Sequence, residues 1–160
     1  MSAAARLVHE LANKGWQLAL AESCTGGMIA AELTEVSGAS RVFGLGVVSY
    51  SNAMKVQVLD VPSELLERFG AVSSACVGAM LDGVQKLSEA QICAAVSGVA
   101  GPQGGSDDKP VGMVWIGLAR GVERWTESHQ FSGDRAAIRR STTDAVFAAL
   151  RKLCRGDEPW

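Results

Sequence analysis

The chain has 160 residues, 48% of them hydrophobic and 20% charged, with 15 basic against 17 acidic side chains. A chain of this size buries about 70% of the surface that its unfolded form exposes, which allows one domain with a real core. The charge balance excludes a disordered chain and a strongly basic nucleic-acid binder.

Along residues 2–14, Leu7, Val8 and Leu11 recur at helical spacing, with Ser2 as an N-cap and Gly15 as a stop. The run "WQLALA" (16–21) reads as a short buried strand. Helical character returns in "GGMIAAELTEV" (26–36), before "SGAS" breaks it. A second buried strand, "VFGLGVVSY" (42–50), leads into polar "SNAMK" and a helical turn in "VQVLDV". Pro62 and Ser63 open a short helix over 62–69, ended by Gly70. A longer helix spans 73–89, with Cys76, Met80, Leu81, Val84 and Leu87 on one face. "QICAAVS" (91–97) is a third buried strand.

The segment "GVAGPQGGSDDKPVG" (98–112) is the one long Gly/Pro-rich loop, and a loop of that length in a compact domain points to function. "MVWIGLA" (113–119) and "ERWTESHQF" (123–131) form a hairpin turning at Arg120–Gly121. Asp134 caps a final helix carrying Ile138, Val146, Phe147, Leu150 and Leu153. Beyond the core of about 5–153, the end "RGDEPW" (155–160) reads as a frayed tail. Alternating helices and buried strands imply one α/β domain over 1–160, layered α/β/α, with a mixed but largely parallel sheet and a terminal β-hairpin.

No apolar run reaches the ~18 residues of a membrane span, and "MSAAARLVHE" lacks a signal-type stretch. The reading is a soluble, cytoplasmic protein without a membrane partner. Cys24, Cys76, Cys93 and Cys154 are widely spaced, and His9 and His129 are the only imidazoles. This pattern suggests neither disulfides nor a metal site, and no cofactor.

In open parallel sheets ligands gather at the carboxyl ends of the strands, and here three successive strands end in "ESCTGG", "SYSNAMK" and "SGVAGPQGG". Ser23 stands before a helix whose first turn includes Gly26 and Gly27, where free amides and the positive helix end favour an oxyanion or phosphate. The plainer alternative is that Ser23 or Thr25 caps that helix. A nucleophilic serine needs a base, and neither histidine is placed to serve. Lys55 follows the second strand and activates a hydroxyl if its amine is neutral, which requires burial or a neighbouring cation. An exposed helix lysine is the competing reading. Ser51, four residues before Lys55, and Cys24 are rival nucleophiles. Tyr50 either orients Lys55, donates to the reacting oxygen or anchors the strand. Ser97 and the glycines of 98–105, among them Gly98, Gly101 and Gly105, bring a hydroxyl and backbone amides towards an anion. No Walker A pattern is present. Arg135 and Arg139 share one face of the last helix and suit phosphate recognition.

Taken together, "AESCTGG", "YSNAMK", "GAVS", "SGVAGPQGGSDDKPVG" and "FSGDRAAIR" resemble the CinA C-terminal domain family, the nicotinamide-nucleotide amidohydrolases, over about residues 5–153. The resemblance implies removal of ammonia from the carboxamide of nicotinamide mononucleotide, leaving nicotinate mononucleotide for NAD salvage, with no cofactor. It implies Ser23 as nucleophile and Lys55 as base, with Tyr50 beside them, and substrate contacts from Thr25, Gly26, Gly27, Ser97, Gly98, Gly101 and Gly105. Its arginine contact maps onto "GDRAAIR", with Arg139 favoured and Arg135 second. Ser97 departs from the family's usual threonine but keeps the hydroxyl. Self-association as a homo-oligomer also fits the family. The alternatives are a non-catalytic nucleotide-phosphate binding module of the same fold and an amidase for another small amide. Despite the family's competence-related name, the near-neutral charge argues against a nucleic-acid partner.

Overall fold

Apolar runs and their stop signals set the order of elements. In the computed structural model, which describes residues 1–160, helix α1 (Ala3–Lys14) is followed by strand β1 (Leu18–Glu22), helix α2 (Met28–Thr34), a 3-10 turn at Ala39–Arg41 and strand β2 (Phe43–Val48). Helices α3 (Asn52–Leu59), α4 (Ser63–Phe69) and α5 (Ser74–Ser88) then lead to strand β3 (Ile92–Gly98), strands β4 (Met113–Arg120) and β5 (Glu123–Gln130), and helix α6 (Arg135–Arg155). Local chemistry explains the boundaries. Ser2 Oγ accepts the Ala5 amide at 3.1 Å, and Gly15 ends α1 at φ 66°. Asp134 caps α6 by accepting the Ala137 amide at 2.8 Å.

The sheet runs β2-β1-β3-β4-β5. Strand β1 is parallel to both β2 and β3, while β4 and β5 are antiparallel, giving the expected mixed sheet with a hairpin at one side. Alternation along the central strands feeds two cores. Leu18 and Leu20 of β1, with Ile92, Ala94 and Val96 of β3, pack against α1, α2 and α6. Ala19, Ala21, Cys93 and Ala95 point to the other face, where α5 and its neighbours lie. The small residues on that second face bring α5 close. A Cβ on Gly117 would press on Val77 and Leu81, and one on Gly83 would overlap the Leu59 carbonyl at 2.1 Å. Helix α3 is thereby held hard against α5.

The connection from β1 to β2 passes over one face of the sheet and that from β2 to β3 over the other, with β1 between them. The strand order reverses at β1, and the crevice at its carboxyl end is where such sheets place ligands.

Three local expectations change. Helix α2 starts at Met28, two residues late, because Gly26 (φ 60°) and Gly27 (φ 101°) are left-handed and precede it. Leu87 faces solvent at 56% exposure, and Val77 takes its place on the buried face of α5. The tail is docked rather than frayed: the Trp125 indole donates to Glu158 at 2.7 Å, Pro159 is buried, and Trp160 meets the His129 ring edge-on with centroids 5.5 Å apart. Its proline and tryptophan bury apolar area that a six-residue polar end would leave in water. No helix is long and apolar enough to cross a membrane.

Candidate active site

The three polar clusters at the ends of β1, β2 and β3 converge on one cavity of about 310 Å³, whose lining includes Ser23, Tyr50, Asn52, Lys55, Ser97 and Arg135. A larger groove of about 550 Å³ runs along α5 past Gly78 and Asp82, but its lining pairs no nucleophile with a base.

Lys55 decides the chemistry of the cavity. It shares with Leu59 the buried stripe of α3 and is only 1% exposed, so the exposed-lysine alternative is excluded. Its Nζ lies 2.9 Å from Ser23 Oγ, 2.8 Å from the Ser49 carbonyl and 3.2 Å from the Tyr50 carbonyl. All three partners are uncharged, and burial holds the amine below the ordinary lysine range. A neutral amine has two N–H donors and one lone pair. Two carbonyls can only accept, so they take the two N–H groups, and the lone pair is left for the Ser23 hydroxyl proton. The surroundings thus fit a neutral base beside a serine.

Of the rival nucleophiles, Ser51 is spent on capping, and Cys24, although it lines the cavity, is buried. Ser51 Oγ accepts the Met54 amide at 3.1 Å and caps α3, pointing its function away from Lys55. Burial pushes the Cys24 thiol up to about 11, aided by the Glu22 charge, which keeps it protonated at neutral pH.

Glu22 is the site residue that the pattern of the sequence conceals. It is 1% exposed, and its carboxylate accepts from Thr25 Oγ1 at 2.6 Å and from the amides of Ile29 and Ala30, each at 3.0 Å. The first turn of α2 is therefore already occupied by an internal anion, and the expectation of an oxyanion site at that helix end is corrected. The amides of Ser23, Cys24 and Thr25 find no acceptor within the chain, whereas Gly26 donates to the Ser23 carbonyl at 2.9 Å. Donors for an oxyanion sit in this short loop rather than in the helix. Thr25, wholly buried with its hydroxyl on Glu22, does not line the cavity, and neither do Gly26 and Gly27.

The two arginines exchange roles. Arg139 donates to the Cys24 carbonyl at 3.2 Å and the Thr25 carbonyl at 2.8 Å, gripping the serine loop from behind. Arg135 reaches the cavity instead, donating to the Gly101 carbonyl and to the Tyr50 hydroxyl, both at 2.8 Å. Tyr50 supports Lys55 through its main-chain carbonyl. Its hydroxyl is bound by Arg135, not by Ser23 or Lys55. Of the glycines, Gly98 lines the cavity, while Gly101 and Gly105 lie against Val111, where a Cβ would come to 2.4 and 2.9 Å of it. These two let the loop fold back and do not line the cavity. Asn52, Gln103, Gly104, Ala71 and Val72 also line it. The polar clusters around Asn52 and Gln103 were the signal for those two. Ala71 and Val72 lie in "GAVS", one of the pieces that carry the resemblance, but no chemistry of their own marked them as lining residues.

The chain has known relatives. The family model described as the CinA C-terminal domain matches residues 1–154. A protein of Pseudomonas putida called nicotinamide-nucleotide amidohydrolase PncC is 48% identical over 94% of both chains. A CinA-like protein of Geobacter sulfurreducens is 46% identical over 94% of this chain but only 36% of its own length, so the chain spans about a third of that longer relative. Among solved structures, the CinA superfamily protein KP700603 of Klebsiella pneumoniae superposes with a TM-score of 0.92, at 38% identity over 96% of each chain.

Proposed function

The chain belongs to the CinA C-terminal domain family, and from that membership and the Ser23–Lys55 pair we propose that it deamidates nicotinamide mononucleotide by a serine–lysine mechanism. The observation that carries the reading is a buried amine with uncharged partners, 2.9 Å from a serine oxygen at the switch point of the sheet. The name of the Pseudomonas relative, matched along nearly the whole of both chains, supports the substrate.

In this mechanism the Lys55 lone pair takes the Ser23 proton as Oγ attacks the carboxamide carbon. Negative charge then gathers on the carbonyl oxygen, and the main-chain amides of Ser23 and Cys24, two residues that line the cavity, are donors open to it. The protonated Lys55 returns its proton to the departing nitrogen, ammonia leaves, and an ester to Ser23 remains. Lys55, neutral again, takes a proton from water as it attacks that ester and passes it to Ser23 Oγ, which releases nicotinate mononucleotide and restores the free serine. Arg135 at the far side of the cavity is suited to the substrate phosphate, with Ser97 and the loop of Gln103 and Gly104 completing the wall.

The test is to incubate wild type and Ser23→Ala with nicotinamide mononucleotide and to measure ammonia and nicotinate mononucleotide. Both products from wild type alone are expected. Product from neither folded protein would overturn the assignment and favour a binding module or a different amide.

A further inference from the structure

We propose that Arg135 forms a wall between two cavities, and that this wall makes the site select nucleotides ending in a phosphate monoester over pyrophosphate-linked dinucleotides. The inference deepens the mononucleotide reading and rests on it.

The catalytic cavity, about 310 Å³, stands at the small end of the range for ligand pockets. Beside it, between the loop after β3 and the start of α6, lies a second cavity of about 630 Å³, walled in part by Pro102, Val111, Gly133 and Ala136. The two cavities share only Ala100 and Arg135. Ala100 is a methyl group, so the partition is made by the arginine. Its Nη1 is fastened to the Gly101 carbonyl and its Nη2 to the Tyr50 hydroxyl, each at 2.8 Å, joining the loop after β3 to the residues after β2. Arg135 and Tyr50 are both exposed, and the planar guanidinium held at both tips turns aside only by breaking at least one of these hydrogen bonds.

Two bonds use two of its five N–H groups, and the rest remain for an anion. A terminal phosphate can stop there. A dinucleotide cannot, because its chain must continue past the first phosphate. Its roomiest neighbouring space is the second cavity, which holds the acidic Asp134 but also Arg139 to meet a second phosphate, with Pro102, Val111 and Ala136 to meet a base. The other adjoining depression, beyond Asn52, is about 300 Å³ and includes Glu67 but no basic residue, so it repels a pyrophosphate.

The experiment compares nicotinamide mononucleotide with nicotinamide adenine dinucleotide as substrates of wild type, Arg135→Ala and Tyr50→Phe, with circular dichroism to establish folding. Wild type is expected to favour the mononucleotide by about a hundredfold in kcat/KM. Arg135→Ala is expected to raise dinucleotide turnover about tenfold in absolute terms while mononucleotide turnover falls, and Tyr50→Phe to raise the dinucleotide rate by a few-fold because one anchor of the wall remains. Dinucleotide rates that stay level or fall in step with the mononucleotide would overturn the wall and leave the deamidase reading standing. Calorimetric binding of both nucleotides to Ser23→Ala gives a readout independent of chemistry. Preference for the mononucleotide that disappears on adding Arg135→Ala supports the wall, equal binding before that change overturns it, and binding of neither nucleotide overturns the nucleotide reading together with it.

Discussion

Two loops border the same cavity and are built in opposite ways. The loop after β1, residues 23–27, is short and held from both sides: Glu22 fixes Thr25 and the start of α2, and Arg139 grips the Cys24 and Thr25 carbonyls. Ser23, Cys24 and Thr25 are all buried within it. The loop after β3, residues 99–112, is tied at its ends by the Val99 amide on the Met113 carbonyl and the Gly112 amide on the Val99 carbonyl, and near its far end by the Lys109 amine on the Phe69 carbonyl. Residues 102–108 between those ties are exposed. A nucleophile must hold its place to a fraction of an ångström, whereas a wall that admits and releases substrate must yield. The first loop accordingly spends buried charge on position, and the second spends chain length on access.

That contrast orders a set of expectations. Lys55→Met should lower kcat by about 10³-fold, the scale of losing a general base, with KM little changed. A kcat within a few-fold of wild type would remove Lys55 from the chemistry. In the proposed mechanism the neutral amine is the active form, and burial holds the amine below the ordinary lysine range, so wild-type kcat should rise with pH through an inflection below that range. The same shift has a stability consequence of definite sign. The unfolded chain binds the Lys55 proton more tightly than the folded one, so stability relative to Lys55→Met should increase as pH climbs between the two pKa values and be lost below the folded value. Urea unfolding of both proteins across pH measures it.

Glu22→Ala should come next. It strands one hydroxyl and two amides in a buried place, costing about 2–3 kcal/mol of stability and lowering kcat by about a hundredfold through displacement of Ser23. Arg139→Met releases only the rear of the loop and should cost about tenfold in kcat, read in the same steady-state assay. Lys109→Met, which frees the long loop from Phe69, should raise KM by about two- to threefold and leave kcat nearly untouched. If Lys109→Met depressed kcat as deeply as Glu22→Ala, the division between a positioning loop and an access loop would collapse.

Much of the fold was legible because its signals are local. Ser2, Gly15 and Asp134 act on backbone groups within a few residues, and Ile138, Val146, Phe147, Leu150 and Leu153 repeat at helical spacing and are all buried. The tail was misread because Trp125 meets Glu158, and His129 meets Trp160, only through tertiary contact. Glu22 was illegible as a cap for the same kind of reason: a carboxylate ending an apolar strand looks like a solvated turn until the chain folds its own helix start onto it.

By itself the sequence determined the alternation of elements, the mixed α/β class and the gathering of polar clusters at the ends of three strands, since these follow from periodicity and from residues acting on near neighbours. Tertiary structure alone decided which hydroxyl meets the lysine, what fills the positive end of α2 and which arginine faces the cavity. The first and last depend on side chains far apart in the chain, Ser23 and Lys55 across 32 positions and the exposed pair Arg135 and Tyr50 across 85, while Glu22 reaches amides seven and eight residues on only once the strand and helix have folded together. Burial supplies the rest, because only a packed interior can remove the water that favours the charged form of Lys55 and so lower its pKa.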